Sequence, residues 1–490
     1  MQRYDRPTRD LALFALVLGV AATSLAINPL GYFGGHWDDG RYLDAALAWP
    51  ALGRDHWALR WPLVGPTAAA ITLLGLSRFS LMLPGLLTLA AVLGVNFWAA
   101  RREFGVAVAT IACLALLTTP EIMRAATRLT ADLPEVLFWS TALWAWWFGR
   151  NGARWWLVLA GAAAACAWAT RETGLGLLLL FALAFVTGIG PQRRSYGWIA
   201  LGFAAVFLPE QIALWAASGD PLYRVHTDLR HIEIPSNDLI GGTPHGVSAP
   251  LNASLMRRWS GAGPLRVNWA LDPWLNLFVN PAYGLDFLLA AIGLAWVRRA
   301  PPVTPLLLAV AASNVVATVY LIATDPKPRM FMPAMGAACL LLAIVAVPLS
   351  HRHARTLSVA AVAKLLVLLV MLDVATSYAE FPALTRAALA TAPGAVHVDR
   401  WTSSSLALAD ASIRARLTPA PPAPGDLYLT AGKLRDYTGS DAPPGDARWQ
   451  QLWRGHSARL PLTLRLAYMA GLGARTPYPA LYVTLYRRLP

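Results

Sequence analysis

Apolar runs of about 17–25 residues recur along the first three quarters of this chain, and no other feature constrains its fold as strongly. Each run is long enough for a helix to cross roughly 30 Å of hydrocarbon. Composition points the same way. Of 490 residues, 56% are hydrophobic and 14% charged, against about a quarter charged in soluble globular domains. The expected fold class is an all-α polytopic membrane protein.

A net charge of +14 would suggest a nucleic-acid partner in a soluble domain. Here the basic residues sit largely in short loops between apolar runs, where topology accounts for them, so no nucleic acid is expected. The basic clusters are Arg3-Arg6-Arg9, Arg101-Arg102, Arg150 with Arg154, Arg193-Arg194, Arg298-Arg299 and "HRHAR" at 351–355. Placing all of them in the cytoplasm requires an even number of crossings between successive clusters. Spans near 10–30, 79–100, 104–120, 132–148, 155–169, 173–190, 197–216, 276–297, 304–323, 329–349 and 357–378 satisfy that parity. They make about 11 crossings, with the N-terminus cytoplasmic and the C-terminus outside. Residues 155–190 cannot be one helix, which would be roughly 50 Å long, so the chain is expected to bend at "TRET" (170–173). The first run has no clear small-x-small cleavage site and reads as a retained anchor. Cys113, Cys166 and Cys339 lie far apart inside apolar runs and read as small core residues.

This topology gathers the carboxylates on the outer face. They lie in "HWDDGRYLDAALAW" (36–49), "EIMRAATRLTADLPE" (121–135), "TRET", the long loop 217–273 with "SGDPLYRVHTDLRHIEIPSND" at 218–238, and "TDPKPRM" (324–330). Charge at membrane depth is costly and is usually kept for function. The opening cluster is the densest. One aspartate there would serve as a helix N-cap, but two adjacent carboxylates repel unless cations or a metal offset them. Asp38 and Tyr42, four apart, share a face if the stretch is helical. Arg128 and Arg171 read equally as phosphate ligands or as ion-pair partners of Asp132 and Glu172. His226 and His231 stand in a polar loop without a third ligand, so zinc is not expected. Lys364 is expected to snorkel to the cytoplasmic interface. The 21 tryptophans read mostly as interfacial anchors, with Trp37 and Trp61 as alternatives for stacking on sugar. "NAS" at 252–254 matches a glycosylation acceptor pattern too short to weigh.

From about residue 380 the character changes. "APPAPGD" and "DAPPGD" are loop punctuation, while "AVHV", "LYLT" and "PALYVTLYRR" read as strands. The expected division is a transmembrane unit over 1–379 and a small extracytoplasmic α/β domain over 380–490.

In its motifs the chain resembles the bacterial GT-C glycosyltransferases of the protein O-mannosyltransferase and lipid A aminoarabinose transferase type. "DDGRY" at 38–42 is similar to their acidic motif in the first outer loop. "LRWPLVGPTAAAITLLGLSRFSLMLPGLLTLAAVLG" resembles their basic-x-Pro segment, and "TRLTADLPEVLFW" their embedded Asp-x-Pro. "SGDPLYR" resembles one of their loops, and "KPRMFMPA" their Pro-Arg-Tyr-like motif. The series covers roughly residues 1–350 in order. The resemblance implies a helical bundle with juxtamembrane helices in the first outer loop, a polyprenyl-phosphate-linked sugar donor, and inverting transfer. Position by position, it implies that Asp38 is the base that activates the acceptor hydroxyl. Asp39, as a second catalytic acid, and Arg41 would orient donor or acceptor beside it, Tyr42 would line the donor site, and Arg60 would contact the lipid phosphate. Asp132 matches a second embedded acid and Arg329 a phosphate ligand, although Met330 stands where tyrosine is usual.

The chemistry is coherent on physical grounds. Charge develops on phosphate oxygens as the glycosidic bond breaks, arginine offers them forked donors, and a carboxylate can take the acceptor's proton. The expected partners are the lipid-linked donor, a glycan, lipid or protein acceptor, and the bilayer of a bacterial inner membrane. No cofactor is expected, with Mg²⁺ or Mn²⁺ held by Asp38 and Asp39 as a less favoured variant. A transporter or flippase of lipid-linked sugars is the alternative, and it would bring inverted repeats and charge at the bilayer midplane.

Overall fold

The computed structural model describes residues 7–27, 37–51, 56–233, 277–278, 283, 285–296, 303–323, 328–350, 353–373, 381–398, 402–403, 406, 411–418, 420–433, 448–456 and 481–490. Helices occupy the stretches expected to be apolar spans: α1 (Pro7–Ile27), α4 (Arg78–Phe104), α5 (Val106–Leu117), α7 (Asp132–Gly149), α8 (Arg154–Thr170), α9 (Leu175–Thr187) and α10 (Tyr196–Ser218). Beyond the middle of the chain follow α12 (Asp286–Trp296), α13 (Thr304–Ala323), α14 (Met335–Ser350) and α15 (Ala354–Asp373). Among the described residues, the helical stretches 78–104, 193–218 and 329–350 have the length and apolarity that a crossing needs. Between the spans lie α2 (Trp37–Ala48), α3 (Trp61–Leu74), α6 (Pro120–Ala125) and α11 (Tyr223–Glu233).

One continuous apolar core joins α1, α4, α5, α7, α8, α9 and α12 to α14. Tryptophans are not confined to its rim: Trp139, Trp144 and Trp146 are buried within it. Helices α8 and α10 cross so closely that a Cβ built on Gly161 would overlap the Ile199 carbonyl oxygen, and one on Gly202 that of Val158. Backbone cannot yield as a side chain can, so Gly202→Val is expected to cost more than the roughly 1–3 kcal/mol of ordinary overpacking. Size-exclusion chromatography in detergent should show loss of the monodisperse peak; an unchanged peak and melting midpoint would contradict the crossing.

The bend expected at "TRET" is present, and its local cause is visible. Arg171 takes an extended conformation (φ −163°, ψ 151°) that ends α8, and Glu172–Gly174 form a 3₁₀ turn before α9. Gly174 lies against the α8 backbone at Ala167 and Trp168, where a Cβ would fall 2.5 Å from main-chain atoms. Only glycine fits that fold-back. The expected span 329–349 also changes form at its start, since Pro328–Ala334 are 3₁₀ and α14 begins at Met335.

Two expectations are corrected. Lys364 does not snorkel: it is 5% exposed and pairs with Asp286, which also accepts from Thr119 Oγ1 at 2.9 Å. A buried ammonium keeps its charge most cheaply beside a carboxylate. His226 and His231 lie on α11 rather than in a loop, and His226 Nδ1 stands 2.7 Å from Asp220. "NAS" at 252–254 lies outside the described residues, as does the Trp37 side chain.

In the C-terminal part, five strands form one sheet in the order β2-β1-β3-β5-β4: β1 (Val396–Val398), β2 (Leu417–Thr418), β3 (Leu427–Lys433), β4 (Trp449–His456) and β5 (Leu481–Arg488). Strand β1 runs parallel to β2 and β3; β5 runs antiparallel to β3 and β4, with Leu429 opposite Leu485. Val396, Val398, Leu427, Leu429, Val483 and Leu485 form its core with Ala388 and Leu389 of α16 (Phe381–Ala390). The expected strands correspond to β1, β3 and β5. Strand β4, "WQQLWRGH", lacks the apolar alternation that would have marked it.

Candidate active site

The opening cluster forms the start of α2, with Asp38 and Asp39 in its first turn. There the helix dipole favours negative charge. Tyr42, Leu43 and Ala46 pack this helix onto Trp57 and onto Leu63, Val64 and Ala68 of α3. Helix α3 opens with Pro62 in its first turn, a position where proline's missing donor is not needed. Arg60 stands immediately before it.

Each carboxylate of the pair meets a different arginine. Asp38 Oδ1 accepts from Trp57 Nε1 at 3.0 Å, and its other oxygen accepts from Arg329. Asp39, 1% exposed, accepts from Arg128 Nη2 at 3.2 Å and Nε at 3.4 Å. Burial pushes the Asp39 carboxyl up to about 7 against the pull of Arg128. The Arg41 guanidinium lies 5.1 Å from the Trp57 ring centroid.

Around this pair the charges continue inward. Arg60 donates to the Tyr42 hydroxyl and, at 3.2 Å, to Glu172. Burial and the neighbouring Asp38 charge hold the Tyr42 phenol up at about 12, Arg60 notwithstanding. Burial also pushes Glu172 upward, but Arg60, His56 and Arg171 outweigh it and keep this carboxyl well below the usual range. Arg171 pairs with Asp132, which also accepts from Thr130. Thr173 Oγ1 donates to Glu135 at 2.5 Å.

Every site residue read from the sequence thus falls in one assembly of guanidiniums and carboxylates drawn from α2, the turn at 56–60, the 126–132 segment, the α8–α9 turn and the 3₁₀ segment at 329. The pairings differ in part from the expected ones. Arg171 takes Asp132, Arg128 takes Asp39, and Glu172 takes Arg60. Sequence reasoning missed Trp57, Glu135, Glu210, Arg224 and Asp228. Glu210 carried a signal: an acid inside an apolar run requires a buried partner, and Arg224, 14 residues on, is that partner at 2.6 Å.

Among the described residues, no three His, Cys, Asp or Glu side chains come together as a metal site. The chemistry on offer is proton acceptance at Asp38 beside a set of cations suited to a phosphate.

Residues 62–213 match the family model described as dolichyl-phosphate-mannose-protein mannosyltransferase. No curated protein sequence matches the chain. Among solved structures, ArnT from Cupriavidus metallidurans bound to undecaprenyl phosphate is 15% identical with a TM-score of 0.55, covering 98% of each chain. The apo oligosaccharyltransferase of Archaeoglobus fulgidus is 11% identical with a TM-score of 0.54, covering 99% of this chain and 89% of its own. The same oligosaccharyltransferase tethered to an acceptor peptide is 11% identical with a TM-score of 0.51, covering 85% and 64%. At these identities the likeness is one of fold.

Proposed function

We propose that this chain, a polytopic helical protein of the GT-C glycosyltransferase fold, transfers a sugar from a polyprenyl phosphate to an acceptor hydroxyl on the outer side of a bacterial cytoplasmic membrane. The acceptor hydroxyl belongs to a lipid A sugar, an envelope polysaccharide or a protein Ser/Thr. The observation that carries this reading is Asp38, held between Trp57 and Arg329 at the edge of an arginine-lined site. The matched family and the lipid phosphate bound by the similar ArnT structure support the donor class.

The reaction is an inverting displacement. The acceptor oxygen bonds to the anomeric carbon as the bond from that carbon to the phosphate oxygen breaks. The acceptor proton passes to Asp38, and the polyprenyl phosphate leaves. Charge grows on the phosphate during this step, and preorganised cations stabilise it there. Arg41, Arg60, Arg128, Arg171 and Arg329 supply them, with Tyr42 and Asp132 fixing Arg60 and Arg171. A donor phosphate that draws Arg329 toward itself also relieves Asp38 of that cation. The carboxylate then becomes the stronger base when the donor is in place. Residues 1–379 carry the reaction in this reading, and residues 380–490 form the extracytoplasmic domain.

The test is transfer by the purified chain in nanodiscs, supplied with labelled sugars on undecaprenyl phosphate and envelope acceptors. Label should move to the acceptor with release of undecaprenyl phosphate, at the same rate in excess chelator. Retention of all label on the lipid across the donor panel would refute the reading, and loss of activity in chelator would restore the metal-dependent variant. Asp44 is exposed on α2; in Asp44→Cys, a membrane-impermeant maleimide applied to intact cells should label this position.

A further inference from the structure

Helix α11 meets the site through Arg224 and Asp228. Arg224, 1% exposed, is the branch point of three segments. Its Nη1 donates to Glu210 of α10 at 2.6 Å and to the Leu59 carbonyl at 3.2 Å. Its Nη2 donates to the carbonyls of Trp168 and Ala169 at 3.0 and 2.8 Å. Leu59 immediately precedes Arg60, and Ala169 lies at the end of α8, just before Arg171 and Glu172. One helical turn along α11, Asp228 lies 3.8 Å from Arg224 Nε, beside the Glu172 carboxyl.

We infer that Arg224 and Asp228 are positioning residues: they hold the Arg60 and Arg171–Glu172 segments at one spacing, so the outer loop that begins with α11 sets the geometry of the phosphate-facing arginines. The rate readouts rest on the transfer reaction proposed above. The last carbonyls of a helix have no partner within it, and those at the end of α8 take theirs from Arg224. A planar guanidinium fork can serve these carbonyls, Leu59 and Glu210 together, whereas an ammonium is a point charge without that fixed geometry.

The acid pair works beside this fork. Asp228 is faced by Glu172 of the α8–α9 turn, by Arg60 of the 56–60 turn and by Arg224 on its own helix, while His56 and Arg171 lie beside Glu172 and Glu210 of α10 holds Arg224. A carboxyl beside an ionised one resists ionising. Glu172, set among cations, is the ionised member, and burial with the Glu172 charge pushes Asp228 up to about 8. Its folded value lies above the ordinary one of 3.8, so its contribution to stability is full below that value, declines as pH rises toward about 8, and is gone above it. Above that, a second negative charge beside Glu172 competes with Tyr42 for Arg60.

The experiment compares the full chain with Arg224→Gln, Arg224→Lys and Asp228→Asn in nanodiscs. Transfer from undecaprenyl-phosphate sugars and the thermal unfolding midpoint are both followed from pH 6 to 9.5. Arg224→Gln should lower kcat/KM for the donor about 10–100-fold, the scale of a slight misplacement of reacting groups. Arg224→Lys, which keeps the charge without the fork, should recover only a minor part. Asp228→Asn imitates the protonated acid. It should lose the fall in rate that the parent shows as pH passes 8, and remove the fall in unfolding midpoint that the parent shows between pH 6 and 8. Parental donor kinetics in Arg224→Gln, or unchanged falls with pH in Asp228→Asn by both measures, would overturn the inference. If Arg224→Gln fails to fold, the Asp228→Asn comparison decides. If the parent transfers no sugar, the functional reading fails, and binding of undecaprenyl phosphate to the parent and to Arg224→Gln decides the positioning role in its place: equal affinity would overturn it.

Discussion

Asp38→Asn is expected to lower the transfer rate by about 10²–10⁴-fold, the usual contribution of a positioned general base, without loss of folded protein. Asparagine keeps the shape, and its one carbonyl oxygen can still accept from Arg329 at the cost of the Trp57 bond, while α2 stays docked through the packing of Tyr42, Leu43 and Ala46. What it cannot do is take the acceptor proton. The loss should therefore fall on kcat, with donor KM nearly unchanged, because an interaction made only in the transition state affects rate and not ground-state binding. Asp39→Asn is the informative control. Burial brings that carboxyl up to about 7, so near neutrality it is already partly protonated, and a neutral amide there should cost less than about tenfold. Steady-state kinetics of both variants check the ordering. Equal losses would transfer the base role away from Asp38.

The second large effect concerns stability. Lys364→Met should destabilise the protein by about 3–5 kcal/mol, because it leaves Asp286, fully buried, as an uncompensated charge. Replacing both members, Lys364→Met with Asp286→Leu, should recover most of that loss, since well-packed apolar residues often serve as well as a buried pair. Thr119 Oγ1 would then lose one acceptor but keep the Ala115 carbonyl at 3.0 Å. Thermal unfolding in detergent reads the difference. A single variant as stable as the parent would mean that this pair contributes nothing to holding α12 against α15.

Much of the helix inventory could be read in advance because bilayer crossing imposes a length and an apolarity that act on contiguous residues. The bend at Arg171 was legible for the same reason: one helix over 155–190 would overrun the hydrocarbon. The site was legible in its members and not in its pairings. Asp38, Asp39 and Arg60 stood out as charges beside apolar runs, but nothing local told Asp38 to take Arg329, 291 positions away, or Arg128 to take Asp39.

Arg224 and Asp228 mark that boundary most clearly. In the chain they read as ordinary members of a polar outer segment, and their i,i+4 spacing suggests no more than a surface pair. Folding brings the end of α8, the turn before α3 and the flank of α10 around them, and desolvation then turns two commonplace charges into the support of the arginine cluster. Lys364 tells the same story, since a lone lysine within a span reads as one that must reach for water until a second helix offers Asp286. Hydropathy, caps and helix breaks depend on near neighbours, so one-dimensional information suffices for them. Which cation meets which anion depends on segments converging in space, where burial raises the cost of an unpaired charge enough to select its partner.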